Sequence, residues 1–198
     1  MDPAASLRIG CLVMAAGNAS RFGANKLAAE LDGRTLIERA LDAVPKGMFA
    51  AVCVASQYEG IEELAGKYGF AAIHNVHPDW GLSYTIRLGT QAMRACDGIL
   101  YLVADQPLLR RDSVQRIAEA WLRTPEKIAG ASHEGRRGNP NLFPARFFPE
   151  LLALEGDCGG NLVIKRHTED YLPVELAPEE LRDCDTPQEL AALQIQAE

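Results

Sequence analysis

The chain has 198 residues and a formal net charge of −7, with 47% hydrophobic and 24% charged residues. This length favours one α/β domain spanning 1–198, with a core large enough to need no disulfide or metal support. The negative charge argues against a nucleic-acid-binding surface, because phosphate polymers are held by dense lysine and arginine. No apolar run approaches the ~20 residues of a membrane span, and the five scattered cysteines indicate a reducing cytoplasm.

Short apolar runs alternate with helical patterns through the first half of the chain. The first run, Ile9–Ala15, is apolar throughout and predicts a strand buried on both faces, as in a parallel sheet. A loop rich in small residues follows it as far as Gly23. Further strands are predicted over 50–55, 70–74 and 99–104, and helices over 35–44, 59–68 and 83–94.

The second half of the chain gives weaker signals. Helices are predicted over 113–122, 147–154 and 188–196, and a strand over 128–132. The stretch 135–144 holds two glycines and two prolines, which predicts a loop. Repeated strand–helix units imply right-handed crossovers and a three-layer, mostly parallel Rossmann-like sheet.

Ligands of such sheets bind at the carboxyl ends of the strands, where the direction of winding reverses. If the first three predicted strands wind one way and the fourth lies on the other side of the first, the reversal falls between the first and the fourth. The loops after Ala15 and Ala104 are therefore the candidate site.

The loop after the first strand contains small residues and two cations. Small residues let a backbone approach an anion closely. The planar guanidinium of Arg21 can bond two phosphate oxygens at once, and the ammonium of Lys26 is a compact positive charge. The loop matches neither the Walker A motif nor G-x-G-x-x-G. The alternative is a plain strand-to-helix turn with two solvated cations. Phosphate binding is favoured because both cations lie where the winding of the sheet is expected to reverse.

The loop after the fourth strand begins with Asp105, at the predicted carboxyl end of a buried strand. A carboxylate there is suited to hold Mg²⁺ against substrate phosphates, since Mg²⁺ prefers hard oxygen ligands. Asp183 and Asp185 are candidates for a second ligand. The alternative for each of the three aspartates is a helix cap or a turn.

Several segments, taken in chain order, resemble motifs of one known family. Residues 14–26 resemble L-A-A-G-x-S-x-R-x-G-x-x-K, 81–86 G-x-S-x-S-L, 105–107 D-Q-P, 137–140 R-G-x-P, 156–159 G-D-x-G and 183–190 D-x-D-T-P-x-x-L. The ordered set, which runs from about Ile9 to Leu190, resembles the molybdenum cofactor nucleotidyltransferases and especially the molybdenum cofactor cytidylyltransferase branch. The chain departs from the family pattern at Tyr84, Thr85, Gly160 and Asn161.

The resemblance implies a nucleotide-diphospho-sugar transferase type of Rossmann-like fold. It also implies transfer of CMP from CTP to a molybdenum-pyranopterin phosphate with Mg²⁺, and a molybdenum hydroxylase or its maturation factor as a partner. Arg21, Lys26 and Asp105 would be catalytic, and Asp105, Asp183 and Asp185 would bind metal. The nucleotide would contact Ala15, Ala16, Gly17, Asn18, Ser20, Arg21, Gly23, Lys26 and Ser83, and the acceptor Thr85, Gly138, Asn139 and Asp157.

Other functions remain open at this point. The same donor loop and metal aspartate would serve a transferase that uses GTP, or one that acts on a sugar or polyol phosphate. A dinucleotide-binding oxidoreductase is disfavoured, because no acidic ribose-binding residue ends the second strand at 55–57. A non-enzymatic carrier of the molybdenum cofactor is the remaining alternative.

Overall fold

The computed structural model describes residues 7–17 and 25–195. The strands in these ranges are β1 (Ile9–Ala15), β2 (Glu30–Leu31), β3 (Arg34–Thr35), β4 (Ala51–Ser56), β5 (Ala71–His74), β6 (Gly98–Val103), β7 (Ile128–His133), β8 (Arg136–Pro144) and β9 (Tyr171–Glu175). The α-helices are α1 (Leu36–Asp42), α2 (Glu59–Lys67), α3 (Leu82–Ala92), α4 (Arg111–Arg123), α5 (Phe148–Leu152), α6 (Asn161–Arg166) and α7 (Pro187–Ile195). Short 3₁₀ turns lie at Lys26–Ala28, Pro78–Trp80, Ala145–Phe147, Thr168–Asp170 and Pro178–Leu181.

A seven-stranded sheet in the order β5-β4-β1-β6-β8-β7-β9 forms the middle layer. β1 pairs in parallel with β4 on one side and with β6 on the other, so the winding reverses at β1. β8 runs antiparallel to both β6 and β7, while β9 is parallel to β7. The three-layer, mostly parallel Rossmann-like fold is confirmed, and so is the reversal between the first and fourth strands of the predicted sheet.

β1 lies inside the sheet, between β4 and β6, and every one of its seven residues is buried. Successive side chains point to opposite faces of a sheet, so Cys11 and Val13 pack in the core layer that contains α1 and α4. Leu12 and Met14 pack on the other face, in the layer that contains α3, α5 and α6. Two apolar layers therefore enclose the parallel strands, which explains why the strand sequence is uniformly apolar.

The loop prediction for 135–144 is wrong, because this segment forms β8. Glu134 and Gly135 have φ of 47° and 78°, values typical of the tight turn that joins the two strands of a hairpin. Only the second half of β8, from Pro140 onward, is buried. Its exposed first half lacks apolar alternation, so the local signal was that of a loop.

Two elements of the C-terminal part, α6 and β9, have no counterpart in the sequence-based prediction. Both are short, with six and five residues. Among the described residues, no helix combines the length and the apolar character that crossing a bilayer requires.

Candidate active site

A cleft of about 540 Å³ opens at the carboxyl ends of β1 and β6, where the winding reverses. Its walls come from the ends of both strands, the turn before α3, and two segments of the C-terminal half. The lining residues are Met14, Ala16, Gly17, Lys26, Leu27, Pro78, Asp79, Trp80, Gly81, Leu82, Thr85, Val103, Asp105, Gly156, Asp157 and Asp185. The cleft is thus at the position that the doubly wound topology assigns to a ligand.

The end of β1 is fixed by hydrogen bonds from the neighbouring strand. Ser56 Oγ donates to the Ala15 carbonyl at 3.2 Å, and Gln57 Nε2 donates to the Ala16 carbonyl at 3.1 Å. Ala16 and Gly17 line the cleft, while Ala15 is buried. The predicted nucleotide-binding residues Asn18, Ser20, Arg21 and Gly23 lie outside the described residues.

Lys26 lies between two carboxylates at the base of the cleft. The Asn25 side chain accepts a hydrogen bond from the Leu27 amide at 3.1 Å and so starts the 3₁₀ turn that carries Lys26. Lys26 Nζ donates to Asp105 Oδ2 and to Asp185 Oδ1, each at 2.7 Å, and only 12% of its side chain is exposed. Burial alone would lower the pKa of Lys26, but the two carboxylates outweigh it and raise that pKa, so the ammonium stays charged.

Asp105 follows β6 and joins the C-terminal segment to the sheet. Its backbone carbonyl accepts a hydrogen bond from the Cys184 amide at 2.8 Å. Its Oδ1 atom is buried and has no hydrogen-bond partner within the described part of the chain. Asp105 is not the cap of the next helix, because α4 begins at Arg111 with Arg110 as its N-cap.

Asp185 and Asp183 approach the same region from the segment before α7. The capping role belongs to other residues: Glu189 Oε2 accepts from the amides of Asp185 and Thr186, and Thr186 Oγ1 accepts from the Glu189 amide. Asp183 Oδ1 accepts from Gln106 Nε2 at 3.0 Å. Desolvation, followed by repulsion from the Asp105 and Asp185 carboxylates, raises the pKa of Asp183.

Lys26 bonds two of these three carboxylates, so these four side chains together carry excess negative charge. A buried carboxylate oxygen without a partner is costly unless a cation or a donor approaches it. Asp105 Oδ1 is such an atom. Carboxylate oxygens together with water are the ligand set of Mg²⁺ and similar hard divalent ions, so the residues present fit a metal of this class.

Two of the four predicted acceptor-binding residues line the cleft. Thr85, on the first turns of α3, accepts a hydrogen bond from Asn75 Nδ2 at 3.1 Å. Asp157 Oδ1 accepts from the Leu82 amide at 3.3 Å, so it also caps the start of α3. The segment that contains Asp157 is therefore bound to the helix that carries Thr85.

The other predicted contacts are placed differently. Asn139 lines a small adjoining recess of about 60 Å³ that shares Met14, Leu82 and Val103 with the cleft. Gly138 lines neither space among the described residues, and its carbonyl accepts from Asn141 Nδ2 at 2.8 Å. Ser83 is buried behind the cleft wall, and its hydroxyl has no hydrogen-bond partner in residues 7–17 and 25–195.

Some lining residues were missed by the reading of the sequence. Pro78 and Asp79 carry no recognisable motif, and only the coordinates place them on the cleft. Gly156 was part of a recognised segment but had no role assigned. Gly81 also belonged to a recognised segment, 81–86, and its φ of 81° shows that the chain turns sharply there, just before α3.

Comparison with known proteins agrees with this geometry. The family profile described as "MobA-like NTP transferase domain" matches residues 11–171. The purine catabolism protein PucB of Bacillus subtilis (strain 168) is 29% identical over 189 residues, which cover 89% of this chain and 91% of that protein.

Two solved structures have a similar fold. Rv0371C of Mycobacterium tuberculosis H37Rv, solved as a complex with manganese, superposes with a TM-score of 0.76 at 19% identity, covering 95% of this chain and 98% of that one. CMP:2-keto-3-deoxy-manno-octonic acid synthetase, solved with CTP, superposes with a TM-score of 0.75 at 13% identity, covering 96% and 98%. At these identities the likeness concerns the fold alone.

Proposed function

The chain belongs to the MobA-like NTP transferase domain family, and on that premise we propose that it transfers CMP from CTP to a molybdenum-pyranopterin phosphate and releases pyrophosphate. The family makes it a nucleotidyltransferase; the base, the acceptor and the metal are our assignment. The main support for this function is the position of Lys26, which lies between two carboxylates where the winding of the sheet reverses.

The reaction requires an in-line displacement at phosphorus. An oxygen of the acceptor's terminal phosphate bonds to the α-phosphorus of CTP, the bond to the β-phosphate oxygen breaks, and pyrophosphate leaves with the electron pair. Such chemistry depends on positioning and charge neutralisation. No general base is needed, because a phosphate nucleophile is already ionised.

Lys26 neutralises charge that develops around the α-phosphate. Its position at the base of the cleft and its raised pKa support this role, because the side chain is both accessible to a ligand and fully charged. Arg21 and the backbone amides of the loop after Gly17 lie outside the described residues, and we assign them to the β- and γ-phosphates. A Cβ built on Gly17 would meet no atom of the described residues within 4 Å.

Asp105 and Asp185 would hold Mg²⁺, with Asp183 nearby. The Oδ1 atom of Asp105, which has no partner among the described residues, supports this assignment, as does the manganese complex of the related fold. A bound Mg²⁺ would supply positive charge against the donor phosphate oxygens. The protein's own contribution is to keep these carboxylates together through the bond from the Cys184 amide to the Asp105 carbonyl.

The acceptor binds on the side of the cleft formed by Thr85 and Asp157, with Asn139 in the adjoining recess.

The whole chain, 1–198, forms one nucleotidyltransferase domain, because its first strand and its C-terminal segment build the same cleft. Five free thiols support a cytoplasmic location, and a molybdenum hydroxylase or its maturation factor receives the product.

Pyrophosphate release tests the function. CTP, GTP, UTP and ATP are each supplied with Mg²⁺, either alone, with molybdenum-loaded pterin, or with a sugar phosphate. We expect release only with CTP and the pterin, and its loss in Asp105→Asn but not in the matched control Asp112→Asn, which removes an exposed carboxylate from α4. Release with a sugar phosphate but not the pterin, or cofactor binding without release, would overturn the assignment.

A further inference from the structure

Three aromatic rings form the edge of the cleft beside Gly81. His77 and Trp80 stack with ring centroids 4.0 Å apart and planes at 8°. Tyr84, on the first turn of α3, meets Trp80 edge-on at 5.0 Å and 68°. We call His77, Trp80 and Tyr84 the aromatic rim.

Trp80 is the member of the rim that a ligand can reach. Its indole lines the cleft and is 49% exposed. His77 stacks on one face of the indole and is not among the described residues that line the cleft. A large aromatic side chain left half exposed at the edge of a cleft is not accounted for by core packing, and it offers a flat apolar surface to a bound molecule.

The rim is held in place before any ligand arrives. The His77 amide donates to Asn75 Oδ1 at 3.0 Å, and the buried Asn75 side chain also bonds Thr85 on α3. Gly81 lies so close to the neighbouring segment that a Cβ there would be 2.6 Å from the Gly156 carbonyl oxygen. A surface ordered in advance loses less conformational freedom on binding, so stacking on it is more favourable.

We propose that Trp80 is a stacking platform for the planar heteroaromatic ring of a substrate in the cleft. The proposal rests on the function given above, in which both the donor base and the pterin of the acceptor are rings of this chemistry. The ring packs on the indole face opposite His77, and His77 and Tyr84 keep the indole from rotating away.

Calorimetric titration with three probes tests the platform: CTP, 6-hydroxymethylpterin and inorganic tripolyphosphate, which has no ring. Trp80→Ala should weaken binding of the stacked ring about tenfold, the scale of base–aromatic stacking, and leave tripolyphosphate unchanged. Trp80→Phe should retain most of the affinity. The matched control Leu122→Ala removes another exposed apolar side chain, on α4 and outside the cleft lining, and should bind all three probes as the wild type does.

Fluorescence gives an independent measure, because the chain has two tryptophans and Trp121 is buried. A stacked ring should quench emission in the wild type but not in Trp80→Phe.

If Trp80→Ala weakens the binding of CTP alone, the stacked ring is the base. If it weakens the binding of the pterin alone, the stacked ring is that of the acceptor; each result supports the platform. Equal affinities in wild type and Trp80→Ala for both ring probes, or no binding of either ring to the wild type, overturn it. Absence of pyrophosphate release with intact ring binding would count against the proposed reaction and not against the platform.

Discussion

At the scale of single residues, Lys26 is where three distant parts of the chain meet. It bonds Asp105, 79 residues away, and Asp185, 159 residues away. One ammonium group thus offsets two carboxylates while Asp105 Oδ1 remains without a partner within the described part of the chain. A divalent cation bound to these carboxylates would compete with Lys26 for the same negative charge, and substrate phosphates would relieve this competition by binding both.

Lys26→Met should reduce turnover about 10²–10³-fold, the usual cost of losing one contact that stabilises transition-state charge. It should also tighten Mn²⁺ binding in the absence of nucleotide, because the carboxylates are no longer neutralised. Initial rates and a Mn²⁺ titration followed by electron paramagnetic resonance measure the two effects. Lys127→Met, which removes a lysine paired with Asp170 outside the cleft lining, is the control. Unchanged turnover together with unchanged Mn²⁺ affinity would show that Lys26 influences neither catalysis nor metal binding.

Asp185→Asn should weaken Mn²⁺ binding more than Asp183→Asn. Asp185 and Asp105 converge on the same nitrogen atom, whereas one oxygen of Asp183 is already bound by Gln106. The same Mn²⁺ titration compares the two variants, with thermal unfolding to verify that both fold. A larger loss in Asp183→Asn would move the second metal ligand to Asp183.

At the scale of elements, α3 forms one wall of the cleft because small residues let it approach its neighbours. Gly89 lies against Leu12 of β1, where a Cβ would clash with the leucine side chain. At the start of the helix, Gly81 contacts the backbone at Gly156, and the Leu82 amide donates to Asp157. The position of the cleft wall is thus set by the close approach of α3 to its neighbours at these glycines.

Gly81→Ala should both destabilise the protein and raise the KM for substrates. The new methyl group would clash with the Gly156 backbone, and φ of 81° is unfavourable for alanine. Gly135→Ala is the matched control, because its φ is 78° but a Cβ there meets nothing within 4 Å. Thermal unfolding and steady-state rates should show a larger stability loss for Gly81→Ala and a changed KM only in that variant. Equal effects of the two substitutions on both measurements would exclude the contact with Gly156.

At the scale of the whole molecule, the C-terminal segment returns to the first half of the chain and completes the cleft. Glu180, in the turn before Asp183 and Asp185, is 1% exposed at its side chain and accepts from the Arg110 guanidinium at 2.8 Å. It also accepts from the Arg110 amide at 3.0 Å. This buried carboxylate anchors the segment to the start of α4, and so holds the acidic residues at the site.

The free energy of unfolding should therefore fall in acid, as the Glu180 carboxylate becomes protonated. Burial alone would raise the pKa of Glu180, but hydrogen bonds from Arg110 and Ser113 outweigh it and lower that pKa below its ordinary 4.5. A lowered pKa means that the folded state binds the proton more weakly than the unfolded chain. The stabilisation is complete above pH 4.5 and is lost as the pH falls through the lower value of the folded state.

Urea unfolding from pH 7 to pH 3 measures this contribution. Glu180→Gln should be less stable than the wild type at pH 7 by about 1–3 kcal/mol, the cost of disrupting a buried hydrogen-bonded charge, and the difference should shrink in acid. Glu179→Gln, which changes the exposed neighbour in the same turn, should follow the wild type at every pH. A pH-independent difference would show that Glu180 does not stabilise the fold through its charge.

The sequence was sufficient to predict the part of the site that follows from sheet topology. A uniformly apolar β1 and β6 indicate buried parallel strands, and the carboxyl ends of neighbouring parallel strands lie at one edge. Lys26 and Asp105 follow those two strands, so their proximity could be expected from strand order alone. The roles of Lys26 and Asp105 in catalysis stay predictions.

Tertiary structure alone decided which other residues reach that edge. Asp185 is brought to Lys26 by the C-terminal segment, Ser83 turns into the core, and Asn139 lies in a side recess. β8 forms although its first half has no apolar alternation, because strands β6 and β7 supply its hydrogen-bond partners. Local periodicity indicates which side chains of a segment are buried and which are exposed to water. These placements depend instead on contacts between segments far apart in the chain, which no local pattern encodes.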